Sequence, residues 1–112
     1  MSNEQKVIRK LRAIFSADVK GYSVLMADDE VSTIQTLKDY RNFMSTCIEQ
    51  RGGRIVDAVS DNLLAEFDSA VDAEEVQKGL RDKNQELPED KKIEFRIGIN
   101  IADVIEDGDR IF

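Results

Sequence analysis

The stretch GGRIVDAVSDNLLAEF, Gly52 to Phe67, decides how the chain folds. Two apolar runs, Arg54 to Val59 and Leu63 to Phe67, flank Ser60-Asp61-Asn62. All three residues of that joint have side chains that favour turns, so the stretch predicts a β-hairpin. Asp57 interrupts the first run, where strands disfavour a carboxylate. The hairpin thus holds two acids four residues apart.

On the N-terminal side, RAIFSADVKGYS predicts a strand from Ala13 to Val19 that ends at a turn on Gly21. Phe15, Ala17 and Val19 share one face of it, and Ile14, Ser16 and Asp18 share the other. Residues 1–10 are polar and read as a loosely packed extension. The segment DDEVSTIQTLKDYRNFMSTCIEQRGG predicts a long helix. Ile34, Leu37, Arg41, Met44 and Ile48 recur at helical spacing, with Tyr40 and Cys47 beside them. Asp28, Asp29 and Glu30 supply the negative charge that a helix N-terminus favours, and Gly52-Gly53 stops the helix.

After the hairpin, Ser69-x-x-Asp72 opens a second helix with an apolar line of Ala73, Val76, Leu80 and Leu87, ended by Pro88. KIEFRIGINIADVI predicts a strand with Ile93, Phe95, Ile97, Ile99 and Ile101 on one face. EDGD is a turn signal, and RIF begins one more strand. The order βαββαβ predicts a single ferredoxin-like α/β sandwich over 1–112, its antiparallel sheet carrying both helices on one face.

The chain has 112 residues and a net charge of -7. That charge repels phosphate backbones and anionic membrane surfaces, which argues against nucleic-acid and membrane partners. A nucleotide stays compatible when Mg²⁺ bridges its phosphates to carboxylates. With no histidine and one cysteine, Cys47, the common zinc sites, His-based general bases and an intrachain disulfide are excluded. The N-terminus does not resemble a secretory signal, so a cytoplasmic location is expected. Cys47, Met26 and Met44 read as core, and Arg54 and Arg96 as solvent-facing strand residues.

Asp18, at the end of the first strand, and Asp61, at the hairpin tip, belong to strands that can lie side by side. Two carboxylates meeting at one edge suit Mg²⁺ or Mn²⁺, which prefer oxygen ligands. Turn capping is the competing role for both.

RAIFSADVKGYSVLMADDE, GGRIVDAVSDNLLAEF and LPEDKKIEFRIGINIADVIEDGDRIF together resemble the class III adenylyl/guanylyl cyclase catalytic domain, from about Lys10 to Phe112. The resemblance implies that Asp18 and Asp61 hold two metal ions for a triphosphate, ATP or GTP. It implies that Val19, Lys20, Gly21, Tyr22 and Ser23 form a loop whose amides wrap phosphates. Where the family's hairpin commonly reads Lys-Thr-x-Gly-Asp-Gly, this chain reads Asp57-Ala58-Val59-Ser60-Asp61-Asn62. Asp57 replaces the lysine that reads the purine, and Arg110 replaces the base-reading aspartate. An exchanged Asp57–Arg110 ion pair at the purine pocket is the expectation. Asp103 aligns with a common family aspartate and reads as a turn residue.

The family continues past the aromatic at Phe112 into a segment with a catalytic asparagine and arginine. No complete catalytic set is therefore expected here, and the expectation is a degenerate or truncated domain with little activity alone. The alternative is a non-catalytic module that pairs with itself or with a full-length cyclase. An open edge near Ile111 and Phe112 predicts a homodimer. A diguanylate-cyclase relative would need a Gly-Gly-acidic-acidic-Phe hairpin, which VSDNLL lacks.

Overall fold

The computed structural model describes residues 8–59, 61–89, 92–107 and 110–111, with side chains described from Lys10 to Asp103 within that set. The elements run β1 (Ile8–Val19), α1 (Tyr22–Asp28), α2 (Glu30–Gln50), β2 (Arg54–Val59), β3 (Asn62–Phe67), α3 (Ala70–Gln85), β4 (Phe95–Asp107) and β5 (Arg110–Ile111). The sheet has the order β2-β3-β1-β4-β5, and every neighbouring pair is antiparallel. This is the ferredoxin-like arrangement expected, with β5 added at one edge. Ser60, Phe112 and the Gly108-Asp109 part of the expected turn lie outside the described residues.

The period-2 alternation of β1 divides the molecule. Ala13, Phe15, Ala17 and Val19 are buried and pack with Tyr40, Met44 and Ile48 of α2, Ala73, Val76 and Leu80 of α3, and Leu63, Ala65 and Phe67 of β3. All apolar stripes therefore meet on one face of the sheet, as a two-layer domain requires.

Several boundaries differ from the sequence expectation. β1 starts at Ile8, because its whole length pairs with β4, from Ile8↔Glu106 to Val19↔Phe95. The helix expected from Asp28 is split: α1 ends there, and Asp29 caps α2 by accepting from the Ser32 amide at 3.0 Å. The Thr33 hydroxyl donates to the Leu25 carbonyl of α1 at 3.0 Å, so Thr33 is buried at the start of the stripe and Ile34 is exposed. Ile101 (60% exposed) and Leu11 (71%) lie where β1 and β4 run on beyond the two helices, so Ile101 does not join the core. Asp103 pairs with Leu11 inside β4 and is not a turn residue.

α3 opens as expected at Ser69, whose side chain accepts from the Val71 amide. The chain leaves α2 at Gly52-Gly53, where the Gly53 amide returns to the Ile48 carbonyl at 2.8 Å. The hairpin forms one residue from its expected boundary, and it contains a bulge. Ile55 pairs with Ala65 and Asp57 with Leu64, so Val56 is the extra residue. Because facing residues share a side of the sheet, the bulge moves Asp57 to the side away from the helices.

Candidate functional site

Asp18 is the last residue but one of β1 and pairs with Asn62 on one side and Arg96 on the other. The Val19 amide donates to the Asp61 carbonyl at 3.2 Å. That bond ties the hairpin tip to the end of β1, so the backbones carrying Asp18 and Asp61 meet at one edge of the sheet. Their carboxylates border different spaces. Asp18 lines a cavity of about 450 Å³ on the open face of the sheet, with Asp57, Asn62, Leu64, Arg96 and Gly98. Asp61 lines a small recess of about 10 Å³ on the helix side, beside Leu37, Arg41 and Met44.

Arg96, read from sequence as solvent-facing, has a specific partner. Its Nε and Nη2 donate to the two carboxylate oxygens of Asp18, each at 3.1 Å. This is the two-pronged fork that guanidinium geometry favours. Arg96 and Asp18 stand directly opposite across β1 and β4, and that register could not be read from either segment alone. Gly98 keeps the cavity floor open: a Cβ there would stand 3.3 Å from the Ser16 hydroxyl.

The loop expected to wrap phosphates is the end of β1 and the first turn of α1. The Val19 and Lys20 amides bond to the carbonyls of Asp61 and Glu94 inside the protein. The Gly21, Tyr22 and Ser23 amides stand at the start of α1, where a helix leaves its first N–H groups without intrahelical acceptors. Gly21 has φ +69°, a conformation that suits glycine and turns the chain sharply into the helix. The Lys20 ammonium lies 3.6 Å from the Glu94 carboxylate.

A second ionic cluster lies farther along the open face. Glu66 is 1% exposed, with Arg12 Nε at 3.3 Å from one oxygen and Arg54 Nε at 3.0 Å from the other. Arg12 also binds Asp68. Arg54 is thus not simply solvent-facing: it covers a buried carboxylate and ties β2 to β3. The signal in the sequence was parity alone, since Arg12 and Glu66 both occupy the polar side of their strands.

Asp57 and Arg110 do not form the expected pair within the chain. β2 and β5 are at opposite edges of the sheet, with β3, β1 and β4 between them. Asp57 shares a row with Leu64, Ser16 and Gly98, whereas Arg110 pairs with Asp107. From Gly98 to Asp107 is roughly 30 Å of extended chain. The Arg110 side chain lies outside the described set.

Burial raises the pKa of Tyr40, against a smaller opposing effect of a hydrogen bond to the Ile93 backbone. The Tyr40 hydroxyl donates to the Asn84 side chain. Burial likewise raises Cys47, with Arg51 acting the other way. Neither group faces the Asp18 cavity. Among the described residues, no helix is long and apolar enough to cross a membrane.

The chain is 37% identical over 112 residues to "Putative adenylate cyclase 3" of Rhizobium meliloti (strain 1021), covering 95% of this chain and 19% of that protein. Its fold matches the crystal structure of an adenylate/guanylate cyclase/hydrolase from Silicibacter pomeroyi with a TM-score of 0.79 and 36% identity, over 96% of this chain and 65% of that one. These likenesses support a class III adenylyl/guanylyl cyclase homology domain. The adenylyl cyclase CyaB from P. aeruginosa shares the fold at a TM-score of 0.70 and 23% identity, over 96% of this chain and 65% of that one. No protein-family profile matches the chain. This cyclase-type domain spans about a fifth of the curated relative and 65% of the solved Silicibacter chain.

Proposed function

We propose that this domain binds a nucleoside triphosphate with a divalent cation at the edge where β1 meets the hairpin tip. The family reaction is conversion of ATP or GTP to the cyclic 3′,5′-monophosphate and pyrophosphate. The observation that carries the reading is the Val19–Asp61 bond, which ties the Asp18 and Asp61 backbones together beside a cavity of nucleotide-compatible size. Asp18 would hold Mg²⁺ or Mn²⁺ from the open face, and Asp61 would join it by turning out of its recess on the helix side. Both are hard oxygen donors, and among the described residues no group of three or more His, Cys, Asp or Glu assembles as a metal site. A pair of carboxylates completed by water and phosphate oxygens is how Mg²⁺ is commonly held. When bound, the cation would stabilise charge on the phosphates and acidify the ribose 3′-hydroxyl.

The protein groups around it have separate tasks. The amides of Gly21, Tyr22 and Ser23 would donate to phosphate oxygens. Leu64 and Gly98 would floor the cavity on the open face, and Asp57 would present an acceptor there. Calorimetric titration with Mn²⁺ and a non-hydrolysable ATP analogue tests the reading. Binding is expected in the wild type and lost in Asp18→Asn and Asp61→Asn; heats equal in all three would reject it.

Asp57, in place of the family's lysine, favours a second reading. A carboxylate at that position cannot donate to a purine ring nitrogen. A degenerate domain that pairs with itself or with a complete cyclase, with little turnover of its own, accommodates that change. Light scattering at high protein concentration separates the two readings when combined with a cyclic-nucleotide assay. A dimer without product supports the pairing module, and product formation by the chain alone rejects it.

A further inference from the structure

Asp18 is offered to a cation by the fold, yet both of its oxygens already carry a positive partner. The Arg96 fork spans Oδ1 and Oδ2 with two 3.1 Å bonds. A divalent ion approaching Asp18 must compete for the same lone pairs and face the charge of the guanidinium. The fork is also positioned to leave. The Arg96 side chain is 68% exposed and lines the open cavity, so its head can swing without disturbing the core. What would draw it away is a second anion with oxygens spaced like those of a carboxylate, and a phosphate group has that geometry.

We infer that Arg96 is a latch on Asp18: it keeps free divalent cation off the carboxylate and yields Asp18 to a cation that arrives with a phosphate-bearing ligand. This inference rests on the metal reading above. Arg96 acts here as a positioning residue, because its effect runs through Asp18. The latch makes cation and nucleotide binding mutually dependent. Each alone finds the site closed by an internal ion pair, and only the two together offer new partners to both halves of it.

Electron paramagnetic titration of Mn²⁺, which reads the bound and free ion directly, tests the latch on the whole chain. It is run with Mn²⁺ alone and with Mn²⁺ plus a non-hydrolysable ATP analogue. Arg96→Gln is expected to bind Mn²⁺ alone about tenfold tighter than wild type, the exposure of the pair keeping the gain well below the Coulomb limit. Arg96→Lys, which keeps the charge and loses the fork, is expected to fall between. With the analogue present, the advantage of Arg96→Gln should shrink or reverse. A merely structural role for Arg96 would not tighten metal binding.

Unchanged or weaker Mn²⁺ affinity in Arg96→Gln overturns the latch. If Asp18→Asn abolishes binding while Arg96→Gln leaves it unchanged, the latch alone falls. If no variant binds Mn²⁺ even with the analogue, the metal reading falls and takes the latch with it. Should Arg96→Gln fold poorly, Arg96→Lys against wild type decides in its place, since affinity equal to wild type contradicts the latch.

Discussion

The two faces of the sheet share their strands and differ in what closes them. On the helix side, Phe15, Ala65 and Phe67 are fully buried, and the Phe15 and Phe67 rings meet edge to face with centroids 6.3 Å apart. On the other side, no described helix covers the strands, and Glu66 is still 1% exposed because Arg12 and Arg54 lie across it. Apolar closure tolerates any partner of suitable volume. Ionic closure needs particular partners at particular spacing, but Arg12 and Arg54 keep part of their side chains in water, which limits the cost of losing one partner. The open face is therefore where charged groups such as Asp18, Asp57 and Arg96 line a cavity without belonging to the apolar core.

The largest effect that would sharpen this contrast is on the apolar side. Phe67→Ala should lower stability by about 3–5 kcal/mol in urea unfolding, through lost transfer energy and a cavity under α2. Glu66→Ala should cost less, about 2–4 kcal/mol, because Arg12 and Arg54 reach water once the carboxylate is gone. A loss as large as that of Phe67→Ala would mean that the two faces do not differ in this way, and the same urea curves decide it.

Tyr40 gives a test by pH. Its folded pKa is raised above the ordinary tyrosine value, chiefly by burial. The folded state therefore holds the proton more tightly than the unfolded chain does. Stability from this group is complete below about pH 10 and is lost as pH rises through the folded value. Tyr40→Phe should lose about 1 kcal/mol at neutral pH with the Asn84 hydrogen bond, and should show a shallower alkaline decline in thermal melts. The smallest effect is expected at Arg96. An exposed pair contributes about 0–1 kcal/mol, so Arg96→Gln should melt within a few degrees of wild type even if its metal affinity changes. A large loss there would place Arg96 among the structural ion pairs with Glu66.

Periodicity made the layers legible. The alternation in Phe15, Ala17 and Val19 and the helical spacing of Ala73, Val76 and Leu80 each record one buried face, and the structure buries all six. Order along the chain was enough for the ferredoxin-like topology. What stayed hidden depends on register. The Arg96 fork requires Arg96 to stand opposite Asp18, and the Glu66 cluster requires three strands to be aligned at once. The separation of Asp57 from Arg110 follows from strand order, which family position did not convey. The α1–α2 break is hidden in the sequence because Asp28, Asp29 and Glu30 read as one helix start, whereas Asp29 alone is the cap.

The extra residue at Val56 has a consequence for how this hairpin can change over time. It works as a phase shifter, absorbing one position so that side chains before and after it are counted on different parities. A single-residue insertion or deletion between Arg54 and Val56 can be taken up by a change in the bulge, leaving Asp57 opposite Leu64. The same event between Asp57 and the hairpin tip has no such buffer, and it would turn Asp57 toward the apolar layer. The two halves of a six-residue strand therefore carry unequal freedom: the half leading into the bulge can vary in length, and the half that presents the acid cannot.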